Sequence, residues 1–137
     1  MESKMADNGL VTVRSNFSVD QTVARLIASV TSKGMTIFAV VDHGDGAAIA
    51  DMSLRPTQLV LFGNAKGGTP LMQENQIAGI DLPLKALAWE DGEGKVWLSY
   101  NDPAWIAQRH GLGAASAAAV NAMAAGLSAV VNEAAAR

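Results

Sequence analysis

The sequence predicts an α+β two-layer sandwich, a largely antiparallel sheet with helices on one face. Three observations predict it. Strand-like and helix-like stretches follow one another in the order strand, helix, several strands, helix. Two of the strand-like stretches flank Asp91-Gly92-Glu93-Gly94, whose turn residues make a short hairpin and hence an antiparallel pair. The 137 residues are half apolar and 17% charged, so a single domain can bury a core without a metal or disulfide.

Leu10 to Arg14 alternates apolar and polar residues like a half-buried strand. Ser18-Val19-Asp20-Gln21 is a capping box, with Ser18 as N-cap and Gln21 three residues on. Val19, Val23, Leu26, Ile27 and Val30 then fall on one helical face, and Gly34 supplies the C-terminal stop. Met35 to Val41 is short, apolar and β-branched, which predicts a buried strand ended by Asp42-His43-Gly44-Asp45-Gly46. Ala47 to Met52 reads as a short helix before Arg55-Pro56, since the residue before proline leaves the helical region. Gln58 to Phe62 is a third strand, and Gly63 to Gly68 a flexible loop. Thr69-Pro70 supplies an N-cap and first-turn proline for a helix that closes near Gly79.

Leu84 to Glu90 and Lys95 to Tyr100 are the hairpin strands, across which Trp89 and Trp97 could pair, although sequence does not fix the register. Asp102-Pro103 opens a helix that runs to about His110 and stops at Gly111. The chain ends in an alanine-rich helix over about residues 114–136. Ala114, Ala118, Ala122 and Gly126 recur every four residues there and predict a smooth stripe packed against the sheet or a dimer partner. On that reading, leucine at position 122 would overpack the contact.

Composition narrows the function classes. The absence of cysteine excludes disulfides, thiolate metal sites and cysteine nucleophiles. A net charge of −3 argues against a nucleic-acid partner, whose binding rests on a basic face. The first residues lack the basic start and apolar stretch of a secretory signal, so the expected compartment is the cytoplasm. No formal charge falls between Arg109 and Glu133, a stretch long enough to span a bilayer. Its strong apolar residues are only Leu112, Val120, Met123, Leu127, Val130 and Val131, with Ser116, Asn121, Ser128 and Asn132 among them. Those polar groups would lack partners in hydrocarbon, so no membrane partner is expected.

Several separated stretches are more specific than periodicity. They are Val41-Asp42-His43, Arg55-Pro56-Thr57, Phe62 to Met72, Asp81-Leu82-Pro83-Leu84 and Tyr100-Asn101-Asp102-Pro103. Together, over about Leu10 to Leu112, they resemble the uncharacterised family known as domain of unknown function 302. The resemblance implies a small α+β domain similar in chain order to the TATA-binding-protein-like topology, and a homodimer. It carries no settled activity and no catalytic residue. Ala65 stands where the family commonly has proline, and the alanine-rich tail lies beyond the resembling stretches.

The remaining candidates come from the residues themselves. Gly63 to Thr69 leaves a strand and enters a helix, where free N–H groups favour anions and Lys66 would add charge. Two glycines separate Lys66 from Thr69, which fails the phosphate-loop spacing, so a plain connection stays open as the simpler reading. Arg55 would clamp a carboxylate or phosphate, or pair with a nearby acid. His43 at a strand end and Asp81 are the acid–base candidates, with a local turn the alternative role for Asp81. His43 and His110, with no cysteine, would have to recruit Asp42 or Asp81 to hold a metal, and no metal site is assigned. No cofactor is implied.

Two functions follow. The first is a small-ligand-binding or interaction domain working as a homodimer, with Arg55, Asn64, Lys66 and Thr69 as ligand-binding candidates. The second is an enzyme acting on a small anionic substrate, with His43 as acid–base and the Gly63 to Thr69 loop and Arg55 holding the anion. In either case His43, Asn64, Thr69 and Asp81 are expected to converge on one side of the fold.

Overall fold

The computed structural model describes residues 3–5 and 8–136. Its strands and helices run β1 (Ser3–Met5), β2 (Leu10–Ser15), α1 (Val19–Ser32), β3 (Thr36–Asp42), α2 (His43–Ile49), β4 (Thr57–Gly63) and α3 (Ala65–Glu74). A 3-10 turn (Gln76–Asp81) follows, then β5 (Leu84–Glu90), β6 (Val96–Asn101), α4 (Pro103–Arg109) and α5 (Ala117–Ala135). Every pairing is antiparallel, and the strands lie in the order β1-β2-β6-β5-β4-β3. The α+β class and the antiparallel sheet are as expected from the sequence.

Strand alternation sets the core. Val13, Val60, Phe62, Ala86, Ala88 and Leu98 are buried on one sheet face. Val23, Leu26 and Val30 of α1 pack over them with Leu127, Val130, Val131 and Ala134 of α5. Complete burial of each such leucine or valine contributes about 1.5–3 kcal/mol. On the other face Thr12 bonds Ser99, and Trp89 and Trp97 stand opposite each other with ring centroids 6.4 Å apart.

Two of the three helix starts expected from side-chain caps hold. Ser18 Oγ accepts from the Gln21 N–H, and Gln21 Oε1 accepts from the Ser18 N–H. Asp102 accepts from the Ala104 N–H with Pro103 in the first turn. Gly34 takes φ +78° just past α1.

Four expectations change. The apolar run Met35 to Val41 forms a strand, but β3 is the sheet's edge, and Phe38, Val40 and Val41 are 56%, 43% and 40% exposed. Apolarity shows that a strand wants cover, not where it sits in the strand order. The turn after it is helical from His43, because Asp42 accepts from the Asp45 N–H and caps α2. The supposed loop before Thr69 is likewise helix from Ala65, capped by Asn64 through the Gly67 N–H at 2.7 Å. Pro70 therefore lies inside α3, where it removes one backbone bond without ending the helix.

The last change concerns α5, which starts at Ala117 with no side-chain cap from Ser116. Glu74, at the end of α3, fixes the turn that leads into α5: its carboxylate accepts from the Gly113 N–H, the Ser116 N–H and the Ser116 hydroxyl. Those bonds hold its pKa below the ordinary glutamate value, the Ser116 hydroxyl contributing most. At the far end, Arg25 donates to the carbonyls of Glu133, Ala134 and Ala136, while Ser29 and Lys33 both donate to the Glu133 carboxylate. A guanidinium at a helix C-terminus satisfies carbonyls that have no partner within the helix.

Candidate functional site

The C-terminal half of α5 lies over the main core, while Val120 in its N-terminal half joins a smaller apolar cluster with Leu71 and Ala78. Its N-terminal half runs out beside α3, and between them, at the Gly63 end of β4 and the Leu84 start of β5, is a cavity of about 810 Å³. That volume lies within the roughly 300–1,000 Å³ of small-molecule sites.

The sequence leaves this space empty for a local reason. Ala119, Ala122 and Gly126 come to the cavity wall along one side of α5. A Cβ built on Gly126 would meet nothing within 4 Å. Met35, Met72 and Met123 line the space from three directions, and methionine adapts to irregular apolar surfaces. Leu84 and Leu127, 7% and 1% exposed, form its floor. Asn64, Lys66 and Thr69 also line it but are themselves exposed, which puts the polar groups at the mouth. Lys66 is the one charged residue among the described residues that line the cavity.

The sequence-derived candidates are distributed unevenly. Asn64, Lys66 and Thr69 come together, because the N-cap and first turns of α3 border the cavity. Asp81 reaches the same end of the sheet, three residues before β5, but its side chain turns away. It accepts from Arg109 at 3.0 and 3.1 Å and lies 2.6 Å from His110 Nε2, which ties the 3-10 turn to the end of α4. His43 sits at the opposite end of β3, since Thr36 pairs with Gly63 whereas Asp42 pairs with Gln58. Arg55 lies at that far end as well, its Nε donating to the Glu90 carbonyl at 3.2 Å. The four expected to converge therefore divide: Asn64, Thr69 and Asp81 at one end, His43 at the other.

Sequence reasoning missed the apolar part of the site. Ala122 and Gly126 were expected to make a tight contact, yet Ala122 is exposed and both border the cavity. Four-residue spacing shows that small side chains share a helix face; it does not show whether the facing space is filled. Phe38 and the methionines at positions 35 and 72 carry no local signal beyond their apolarity. Among the described residues, no group of three or more His, Asp or Glu side chains is placed to hold a metal ion.

The family described as "Domain of unknown function DUF302" matches residues 11–133, a span that takes in most of the alanine-rich helix as well as the motifs before it. The chain is 53% identical over 133 residues to proteins named "Fluoride-specific ion channel FluC 1" from Brucella suis biovar 1 and Brucella abortus biovar 1. The match covers 97% of this chain but 52% and 49% of those proteins, so the chain spans about half the length of these relatives. Among the described residues no helix is long and apolar enough to cross a membrane. A crystal structure of an uncharacterised conserved DUF302 protein from Bacillus stearothermophilus superimposes with a TM-score of 0.81 at 16% identity, over 91% of this chain and 97% of that one. With its fold and most of its length accounted for in this way, the chain belongs to the DUF302 family.

Proposed function

We propose that this chain is a binding domain for a small, largely apolar molecule, held in the cavity between α3, α5 and the Gly63 end of the sheet. The cavity itself carries the reading, with its wall of methionine, leucine and alanine and a few polar groups at the mouth. Apolar lining with sparse polar groups is the ordinary chemistry of ligand sites. The reading concerns the matched half of the fluoride-channel relatives alone, and makes that region a ligand-binding module on a longer protein.

The test is binding of an uncharged fluorescent probe, N-phenyl-1-naphthylamine, to the intact chain and to Gly126→Leu. The probe's emission should rise with the intact chain, and the filled cavity should lose most of that rise. Equal emission from both would remove the cavity as the site.

A second observation favours self-association as a homodimer. Phe38, Val40 and Val41 leave apolar surface on an edge strand with no charge between Thr36 and Val41. Ile49, Met52 and Leu54, 86%, 68% and 51% exposed, follow in the segment after β3. An uncharged apolar edge is a template for another strand, and a second copy supplies one of matching chemistry. Light scattering on the eluting protein should give twice the chain mass, and Val41→Lys should halve it. A monomeric intact chain would exclude this reading.

A further inference from the structure

Resting on that binding reading, we infer that the ligand is an amphiphile with an anionic head, its apolar body in the cavity and its head at Lys66. The polarity of the wall runs in one direction. Its deep part is Leu84 and Leu127, and Met123 with Gly126 continues it along α5. All three of its polar side chains belong to the short span Asn64 to Thr69, and all three are exposed.

Charge then selects the head. Lys66 is the only charged residue among those described around the cavity, so an anion gains a partner there and a cation meets repulsion. The nearby carboxylates do not compete for the lysine. Asp81 is engaged by Arg109 and His110, and Glu74 by Gly113 and Ser116 at the start of α5. Asn64 turns its oxygen to the Gly67 N–H, so the charge at the mouth is that of the Lys66 amine, with the Asn64 amide N–H groups as neutral donors beside it. The first turn of α3, with its backbone dipole, adds to the same preference. A fully apolar molecule would fill the cavity and leave these groups unused, whereas a monocarboxylate on an unbranched chain uses both.

Displacement of N-phenyl-1-naphthylamine separates the two levels of the argument. Dodecanoate, 1-dodecanol and dodecylammonium are titrated below their aggregation limits against the intact chain, Lys66→Gln and Gly126→Leu. Dodecanoate should displace the probe at about 3- to 10-fold lower concentration than the alcohol, and dodecylammonium should be weakest. Lys66→Gln, at an exposed position, should bring dodecanoate level with the alcohol and leave the alcohol unchanged. Equal potency of acid and alcohol on the intact chain, or a Lys66→Gln variant that keeps the acid's advantage, overturns the anionic head while the cavity reading stands. Failure of the intact chain to bind the probe at all overturns both.

Discussion

The two halves of α5 obey the same helix geometry and meet opposite fates. From Leu127 onward, Leu127, Val130, Val131, Ala134 and Ala135 are buried against α1 and the sheet. Before it, Val120 is the only buried residue of the helix, and Ala119, Ala122, Met123 and Gly126 border open space. The difference lies in side-chain volume and in what stands opposite. The C-terminal half presents branched residues to a continuous sheet face, whereas the N-terminal half packs Val120 on a small cluster with Leu71 and Ala78 and turns alanine and glycine to the end of that sheet. One helix thus holds the core together and walls a cavity.

The sharpest contrast is between Phe62 and Gly126. Phe62 is completely buried on β4, under α1 and α5. Phe62→Ala should lower the stability of the chain by about 3–5 kcal/mol in urea denaturation, because a close-packed core relaxes only partly around the loss. A loss below about 1 kcal/mol would mean that the core is no better packed than the cavity wall. At Gly126 the sign reverses. Alanine is the better helix former by about 1 kcal/mol, and its Cβ has nothing to strike. Gly126→Ala should raise stability by roughly 0.5–1 kcal/mol in the same assay. Destabilisation instead would show that the space beside α5 is closed in solution.

What the sequence revealed, and what it hid, divides along the same line. Two caps were legible because a Ser, Asp or Gln side chain meets backbone only two or three residues away: Ser18 with Gln21, Asp102 with Ala104. The hairpin was legible from its turn residues, whereas the register that sets Trp89 opposite Trp97 comes from the structure. The long-range partners were not legible. Glu74 holds the turn before α5 from 42 residues before Ser116, and Arg25 holds the end of α5 from 109 residues before Ala134. Thr69-Pro70 fits the helix-start pattern, but the helix begins at the strand end, where Asn64 caps it. Of the site, the polar span Asn64 to Thr69 was legible from its glycines and lysine. The apolar wall was not, because emptiness is a property of packing between segments.

Position 122 tests that last point. On sequence alone a leucine there overpacks a helix contact, at about 1–3 kcal/mol. In the structure Ala122 is exposed at the cavity, so Ala122→Leu should change stability by less than about 0.5 kcal/mol. It should also weaken probe binding, because the added side chain occupies the mouth. A loss of more than 1 kcal/mol would restore the tight contact and close the cavity.

The smallest effect belongs to the packed half and depends on pH. Glu133 accepts from Ser29 and Lys33, and these bonds, the Ser29 hydroxyl first, hold its pKa below the ordinary 4.5. A carboxylate whose folded pKa is depressed stabilises the fold above its unfolded value and loses that contribution as pH falls through the folded one. The effect should therefore be complete near neutrality and fade as the solution is taken below pH 4.5. Because the pair is solvent-exposed, salt screens it and the change is modest. Comparison of Glu133→Gln with the intact chain isolates it from other carboxylates, Glu74 and Asp91 among them, which are also held low. The variant should be the less stable of the two at pH 7, with the gap narrowing in acid and in 1 M salt. A gap that stays constant with pH would mean that Glu133 acts through its packing and not its charge.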